Sequence, residues 1–385
     1  MLGSLANKGR RRTLLGGSLG SLAVVLALLF GCVPTEDGSA WLAAAAQQPP
    51  PAAPAVAPQL TDTAFVASDG ASLPLRHWLP AGEPRAVILA LHGFNDYSKS
   101  FEEPGAAWAA DGIATYAYDQ RGFGLAPGRQ LWAGSARLAA DADAAVALLR
   151  TRYPGRPVYL LGESMGGAVA IDATTGADGL PPGKVDGVIL SAPAVWGRDT
   201  MDLVPRLALW AGVRLFPETT LTGSDLRIKA SDNLPMLRAL GRDPLVIKQT
   251  RVDTVWGLVN LMDRALDAAP RLNEPMLLLY GAHDEVIPRD AVRDFVANLP
   301  PDSAGRRRLA FYPAGYHLLL RDLEGPTVAA DVAAWIRDPN APLPTRADRL
   351  AAARSWPPSL DAAADCQPPC AVAHEATITG GAVAR

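Results

Sequence analysis

The pentapeptide Gly162-Glu163-Ser164-Met165-Gly166 places a hydroxyl between two glycines, after the apolar run 158–161 and before an Ala-rich helical stretch. A serine nucleophile needs a sharp strand-to-helix turn that lifts its oxygen clear of a sheet. Glycines on both sides remove the Cβ atoms that would clash in such a turn. The helix starting there also aims free amide N–H groups and a positive dipole end at developing negative charge. A serine hydroxyl is a weak nucleophile at neutral pH and needs a base, usually a histidine oriented by a third group. Of five histidines, His317 fits best. It follows an expected strand at 308–312 through the short loop Pro313-Ala314-Gly315, which sets it over a sheet's carboxyl edge. His283 is an alternative, while His77 lies in an early strand, His374 in the tail and His92 at the end of a strand ahead of the serine. The orienting carboxylate is expected at Asp284, on the loop after the run 276–280, with Glu285 as the fallback. Backbone N–H groups of Phe94, after Leu91-His92-Gly93, and of Met165 are the expected oxyanion donors. Such a set performs acyl transfer through a covalent intermediate.

The same five-residue pattern occurs at Gly16-Gly17-Ser18-Leu19-Gly20. No strand precedes that copy, so context singles out Ser164.

The elements that must carry these groups follow from the hydropathy pattern. Uninterrupted apolar runs at 86–91, 114–118, 158–161, 187–190 and 276–280 read as strands buried on both faces. Helical patterns at 136–150, 166–175, 290–299 and 327–336 separate them. Segments 63–68 and 73–78 read as an antiparallel pair leading in. The fold class is therefore α/β, a mostly parallel central sheet with helices on both faces, its active site beyond the strands' carboxyl ends. From about 195 to 271 the alternation breaks into helical patterns. This region is expected to be an inserted helical cap, the alternative being ordinary helices packed on the sheet. Its apolar residues Trp210, Trp256, Leu258 and Met262 are candidates for an acyl site, and equally for packing.

The chain of 385 residues is long enough for one large domain with extensions on both sides. A net charge of −3 argues against a nucleic-acid partner. Arg10-Arg11-Arg12 followed by an apolar run from Leu14 to Phe30 has the layout of an export signal. It closes on Leu29-Phe30-Gly31-Cys32, which resembles a bacterial lipobox, with Cys32 the lipidated residue; an uncleaved N-terminal membrane anchor is the alternative. Both place the protein on a bacterial cell envelope, facing the periplasm or the exterior. Residues 33–60 are Ala/Pro-rich and read as a tether, 61–338 as the domain, and 339–385 as an irregular Ala/Pro-rich tail. In that tail Cys366 and Cys370 are candidates for a disulfide, and too few for structural zinc. The pattern says nothing of oligomeric state.

Leu91-His92-Gly93-Phe94, Asp119-Gln120-Arg121-Gly122-Phe123-Gly124, Gly162-Glu163-Ser164-Met165-Gly166-Gly167, Gly281-Ala282-His283-Asp284 and Tyr316-His317 together resemble the monoacylglycerol lipase and lysophospholipase group of α/β-hydrolases. The order Ser, Asp, His along the chain is that fold's order. The likeness spans about 61–337 and implies an α/β-hydrolase fold, a cap over an acyl-chain pocket, a lipid ester substrate, and neither metal nor organic cofactor. Phe123 stands where the group often has histidine. A short-chain carboxylesterase or acyltransferase on this scaffold is the nearest alternative, and a non-catalytic lipid-anchored binding protein the more distant one.

Overall fold

A computed structural model describes residues 56–176, 185–222, 228–302 and 305–352. The export-signal run, Cys32, Cys366 and Cys370 lie outside the described residues. β1 (Gln59–Leu60), β2 (Ala64–Val66) and β3 (Ser72–Trp78) form an antiparallel lead-in. The strand at 59–60 begins inside the stretch read as tether.

The parallel body consists of β4 (Ala86–Leu91), β5 (Ile113–Tyr118), β6 (Val158–Glu163), β7 (Gly187–Ser191), β10 (Met276–Gly281) and β11 (Arg307–Tyr312). The nine-stranded sheet runs β1-β2-β3-β5-β4-β6-β7-β10-β11. β3 meets β5 antiparallel, and every pairing from β5 to β11 is parallel. Every residue of β4, β5, β6, β7 and β10 is buried. Both faces of a parallel sheet are covered by its crossover helices, which is why these strands are apolar without alternation.

One face carries α1 (Glu102–Ala110) and α8 (Gly325–Arg337), with Trp108, Val332 and Trp335 packed against Ile88 and Ala90. The other carries α2 (Ser135–Arg152) and α3 (Met165–Thr175), whose apolar residues join Val87, Leu89 and Leu160. α7 (Arg289–Ala297) contributes Val292 and Phe295 to that same core. α1 has no clear signal in the sequence. Its Pro104-Gly105 pair looks like a break, yet a Cβ on Gly105 would press 2.6 Å from the Trp78 ring, so glycine there permits close helix–sheet packing.

The insertion between β7 and β10 divides into two kinds of structure. α4 (Leu203–Leu215) exposes Leu203, Val204 and Leu207 but buries Val213 and packs Leu209 against the core, while α5 (Leu234–Arg242) buries no residue and exposes Leu234. A two-stranded antiparallel ribbon, β8 (Thr220–Thr222) with β9 (Gln249–Arg251), links them to α6 (Val252–Ala268). α6 instead buries Val259, Leu261, Met262 and Ala265 in the core beside α3. The insertion thus runs from largely exposed helices to one that belongs to the core.

Residues 339–352 do not run free of the domain. Leu343 and Ala347 are buried against the sheet, Thr345 bonds the buried Asp331 through its N–H and hydroxyl, and Asp348 pairs with Arg308 of β11. No described helix is long and apolar enough to cross a membrane.

Candidate active site

Ser164 occupies the turn between β6 and α3 at φ +53°, a left-handed backbone that a serine adopts only when its surroundings impose it. Those surroundings are specific. The Ser164 N–H donates to Ser191 O at 2.9 Å, and its carbonyl accepts from Gly167 N at 2.9 Å and Ala194 N at 2.9 Å. A Cβ on Gly162 would collide with the Gly166 carbonyl, and one on Gly166 with the Leu91 carbonyl. Only glycine fits at either place, which is the physical content of the pentapeptide.

His317 and Asp284 are brought together by the loops after β11 and β10. Ala282 N bonds Tyr312 O and His283 N bonds Gly315 O, each at 2.9 Å, while Gly281 packs backbone to backbone on Gly315. The result is a hydrogen bond of 2.9 Å between His317 Nδ1 and Asp284 Oδ2, with the Asp284 side chain fully buried. Asp284 Oδ1 accepts the N–H groups of Val286 at 2.8 Å and Ile287 at 2.9 Å, so the carboxylate has one orientation. Burial alone would pull the His317 pKa down, but the Asp284 charge, its hydrogen bond and the Glu163 charge outweigh this and leave it raised. Glu285 turns away to accept the Lys229 N–H, and His283 stacks on Tyr316 at the surface. Neither enters the site.

The loop after β4 passes directly over the serine, for a Cβ on Gly93 would lie 3.4 Å from Ser164 Cβ. The N–H groups of Phe94 and Met165 donate to no acceptor among the described residues, as free oxyanion donors must. His92 holds this loop from beneath: its Nδ1–H donates to Gly93 O at 2.8 Å and its Nε2 accepts Gln120 N–H at 2.9 Å. Complete burial lowers the pKa of this ring, which keeps it neutral and fit for both bonds. Phe123 sits edge-on to both His92 and Phe94, at 5.6 Å from each ring, and so packs the base of the loop.

Of the four candidate acyl-site residues, Met262 is buried in the core and Leu258 packs against it. Trp256 carries Arg198 over its ring at 4.0 Å, and the half-exposed Trp210 carries Arg214 at 4.1 Å. A cavity of about 430 Å³ opens on another side, between α5 and the start of α1, lined by Asp96, Tyr97, Ser100, Met236, Leu240 and Arg321. Ser164, Asp284 and His317 do not line it.

Three buried charged residues went unnoticed in the sequence. Arg321 donates to Glu163 Oε1 at 2.8 Å and pairs with Asp96 Oδ2 at 2.7 Å. Position was the only available signal: Glu163 precedes the serine and Arg321 follows His317 by one helical turn.

A strained serine between a buried sheet and a helix start, a histidine–carboxylate pair and a glycine loop above define a serine hydrolase on the α/β-hydrolase fold. The chain belongs to the family described as serine aminopeptidase, S33, whose model matches residues 82–324. It is 28% identical over 278 residues to the human monoglyceride lipase, covering 71% of this chain and 89% of that one. It is 26% identical over 280 residues to a monoacylglycerol lipase of Mycolicibacterium smegmatis, covering 72% and 96%. Among solved structures, the Paleococcus ferrophilus monoacylglycerol lipase superposes with a TM-score of 0.57 at 21% identity, over 69% of this chain and 98% of that one. A soluble variant of the Saccharomyces cerevisiae monoglyceride lipase, bound to a substrate analog, gives 0.58 at 20% identity, over 75% and 98%.

Proposed function

We propose that this enzyme hydrolyses carboxylic esters of the monoacylglycerol or lysophospholipid type through Ser164, His317 and Asp284 and an acyl-enzyme. The observation that carries the reading is the single fixed bond from Asp284 to His317 Nδ1, which leaves Nε2 free to act as base. His317 takes the Ser164 proton as the oxygen attacks the ester carbonyl. The oxyanion rests on the Phe94 and Met165 amides. His317 then protonates the departing alcohol, and water, deprotonated by His317, releases the acid. The relatives' names support a glycerolipid ester. The exposed apolar cap helix α4 suits an enzyme working beside lipid. The arrangement near residues 10–32 supports delivery to a cell envelope with Cys32 as lipid anchor.

A fluorophosphonate probe should label wild type and fail on Ser164→Ala, while Ser18→Ala labels as wild type does. Equal labelling of Ser164→Ala sinks the mechanism. Hydrolysis should then be compared across monoacylglycerols, lysophospholipids, short-chain esters and an aminoacyl arylamide. Turnover confined to short chains removes the lipase reading and leaves a carboxylesterase. Transfer to an added alcohol in preference to water marks an acyltransferase, and arylamide cleavage alone marks an aminopeptidase.

A further inference from the structure

We propose that Arg321 is a positioning residue that locks together the three loops carrying the oxyanion donor, the nucleophile and the base, through Asp96 and Glu163. The inference rests on the serine-hydrolase reading above. Asp96 lies on the loop that carries Phe94, and its N–H returns to Gly93 O at 3.3 Å. Glu163 is bonded directly to Ser164 in the chain. Arg321 sits in the short helix Leu319–Arg321 that follows His317. One guanidinium therefore spans three segments that are remote in sequence, with Glu163 and Arg321 158 positions apart.

The cluster is costly for a merely stabilising device. The side chains of Arg321, Asp96 and Glu163 are 8%, 9% and 0% exposed, and Glu163 Oε2 and Arg321 Nε have no partner among the described residues. Replacing buried ion groups of this kind with apolar ones is often neutral or favourable to stability, so their value lies in holding one arrangement. The guanidinium fork meets Glu163 and Asp96 through two separate nitrogens in a fixed plane, a geometry that a lysine ammonium, a single point charge on a flexible stem, does not reproduce. Two carboxylates and one cation also leave a net negative charge beside His317. The other charged or titratable groups near that loop are Asp284, Asp322, which accepts Tyr316 N–H, Tyr316 with His283 stacked on it, Glu285, and, from the insertion, Lys229 on Tyr316 and Asp232 on Leu323 N. Glu163 favours the imidazolium and Arg321 opposes it.

The test is steady-state kinetics against pH on the full chain for Arg321→Met, Arg321→Lys and Glu163→Gln, with thermal melting alongside. Arg321→Met should lower kcat about 10–100-fold, the range for reacting groups displaced by about 1 Å, with KM within about threefold. It should also move the acid-limb midpoint of kcat/KM upward. Arg321→Lys should keep the wild-type midpoint yet recover kcat only partly. Glu163→Gln should move the midpoint downward by several tenths of a pH unit, on the order expected for a nearby charge. Wild-type kcat in Arg321→Lys, or one midpoint shared by Arg321→Met and Glu163→Gln, overturns the proposal. If Arg321→Met does not fold, wild-type kcat in Arg321→Lys, or a Glu163→Gln midpoint that does not move downward, overturns the proposal. A wild type that the phosphonate probe does not label refutes the hydrolase reading instead, independently of the cluster.

Discussion

Replacing Asp284 with asparagine changes one atom's identity and almost no volume, and the structure fixes which atom faces His317. Oδ1 accepts two backbone N–H groups, at 2.8 and 2.9 Å. An asparagine keeps both bonds only by leaving its carbonyl oxygen there and turning its NH2 group toward His317 Nδ1. The histidine nitrogen must then accept, so its proton moves to Nε2, where the imidazole cannot take the serine proton. The flipped amide would restore the useful tautomer. It would also set NH2 against two buried donors, losing two hydrogen bonds and orphaning both, at a cost of roughly 3 kcal/mol or more. At about 1.4 kcal/mol per tenfold, the productive form falls below about 1%. Loss of the negative charge that stabilises the imidazolium multiplies this, so kcat should fall about 10⁴-fold. Both backbone bonds survive, so the melting temperature should move little. The assay is kcat on a chromogenic ester from pH 6 to 10, with a melting curve as control. A folded Asp284→Asn enzyme within tenfold of wild-type kcat would refute the reasoning.

Other expectations follow from the same geometry. Because the His317 pKa is raised and catalysis needs the neutral ring, the acid limb of kcat/KM should have its midpoint above 6.5, and a midpoint below 6.5 would contradict the assigned base. His92 acts oppositely on stability: its folded pKa is lowered, so its contribution is full above 6.5 and is lost as pH falls through the folded value. Urea melts in parallel with wild type and His92→Gln should show this acid-side loss in wild type only. Gly166→Ala drives a methyl into the backbone of Leu91 and should cost about 3 kcal/mol in urea denaturation; a loss below about 1 kcal/mol would mean the elbow yields easily. Ending the chain after 338 rather than after 352 removes buried Leu343 and strips Thr345 from buried Asp331, and should cost about 3–5 kcal/mol in urea melts.

The strands and the tight turn at Ser164 were legible because their causes are local. An all-apolar run such as 86–91 has one comfortable place in an α/β protein, and Gly162 and Gly166 declare a turn too tight for any side chain. Chain order then pointed to Asp284 and His317, which the structure joins by a hydrogen bond. Cap residues were less legible, because an apolar helix reads the same whether it lines a pocket or fills a core. Met262 fills the core because α6 lies on α3, a fact about packing rather than pattern. The docking of residues 339–352 was illegible for the opposite reason: two buried residues, Leu343 and Ala347, suffice to dock a stretch whose composition is loop-like.

The amino-acid sequence by itself determined the sheet and the tight turn at Ser164, and pointed to Asp284 and His317 as its candidate partners, since each rests on residues a few positions apart or on chain order. Tertiary structure alone decided the orientation of Asp284, the neutral tautomer of His92 and the division of the insertion between exposed helices and core. It alone also decided the meeting of Asp96, Glu163 and Arg321. Each of these depends on how elements remote in the chain close around a buried group, and its energy appears only when burial removes water and leaves polar atoms to find partners.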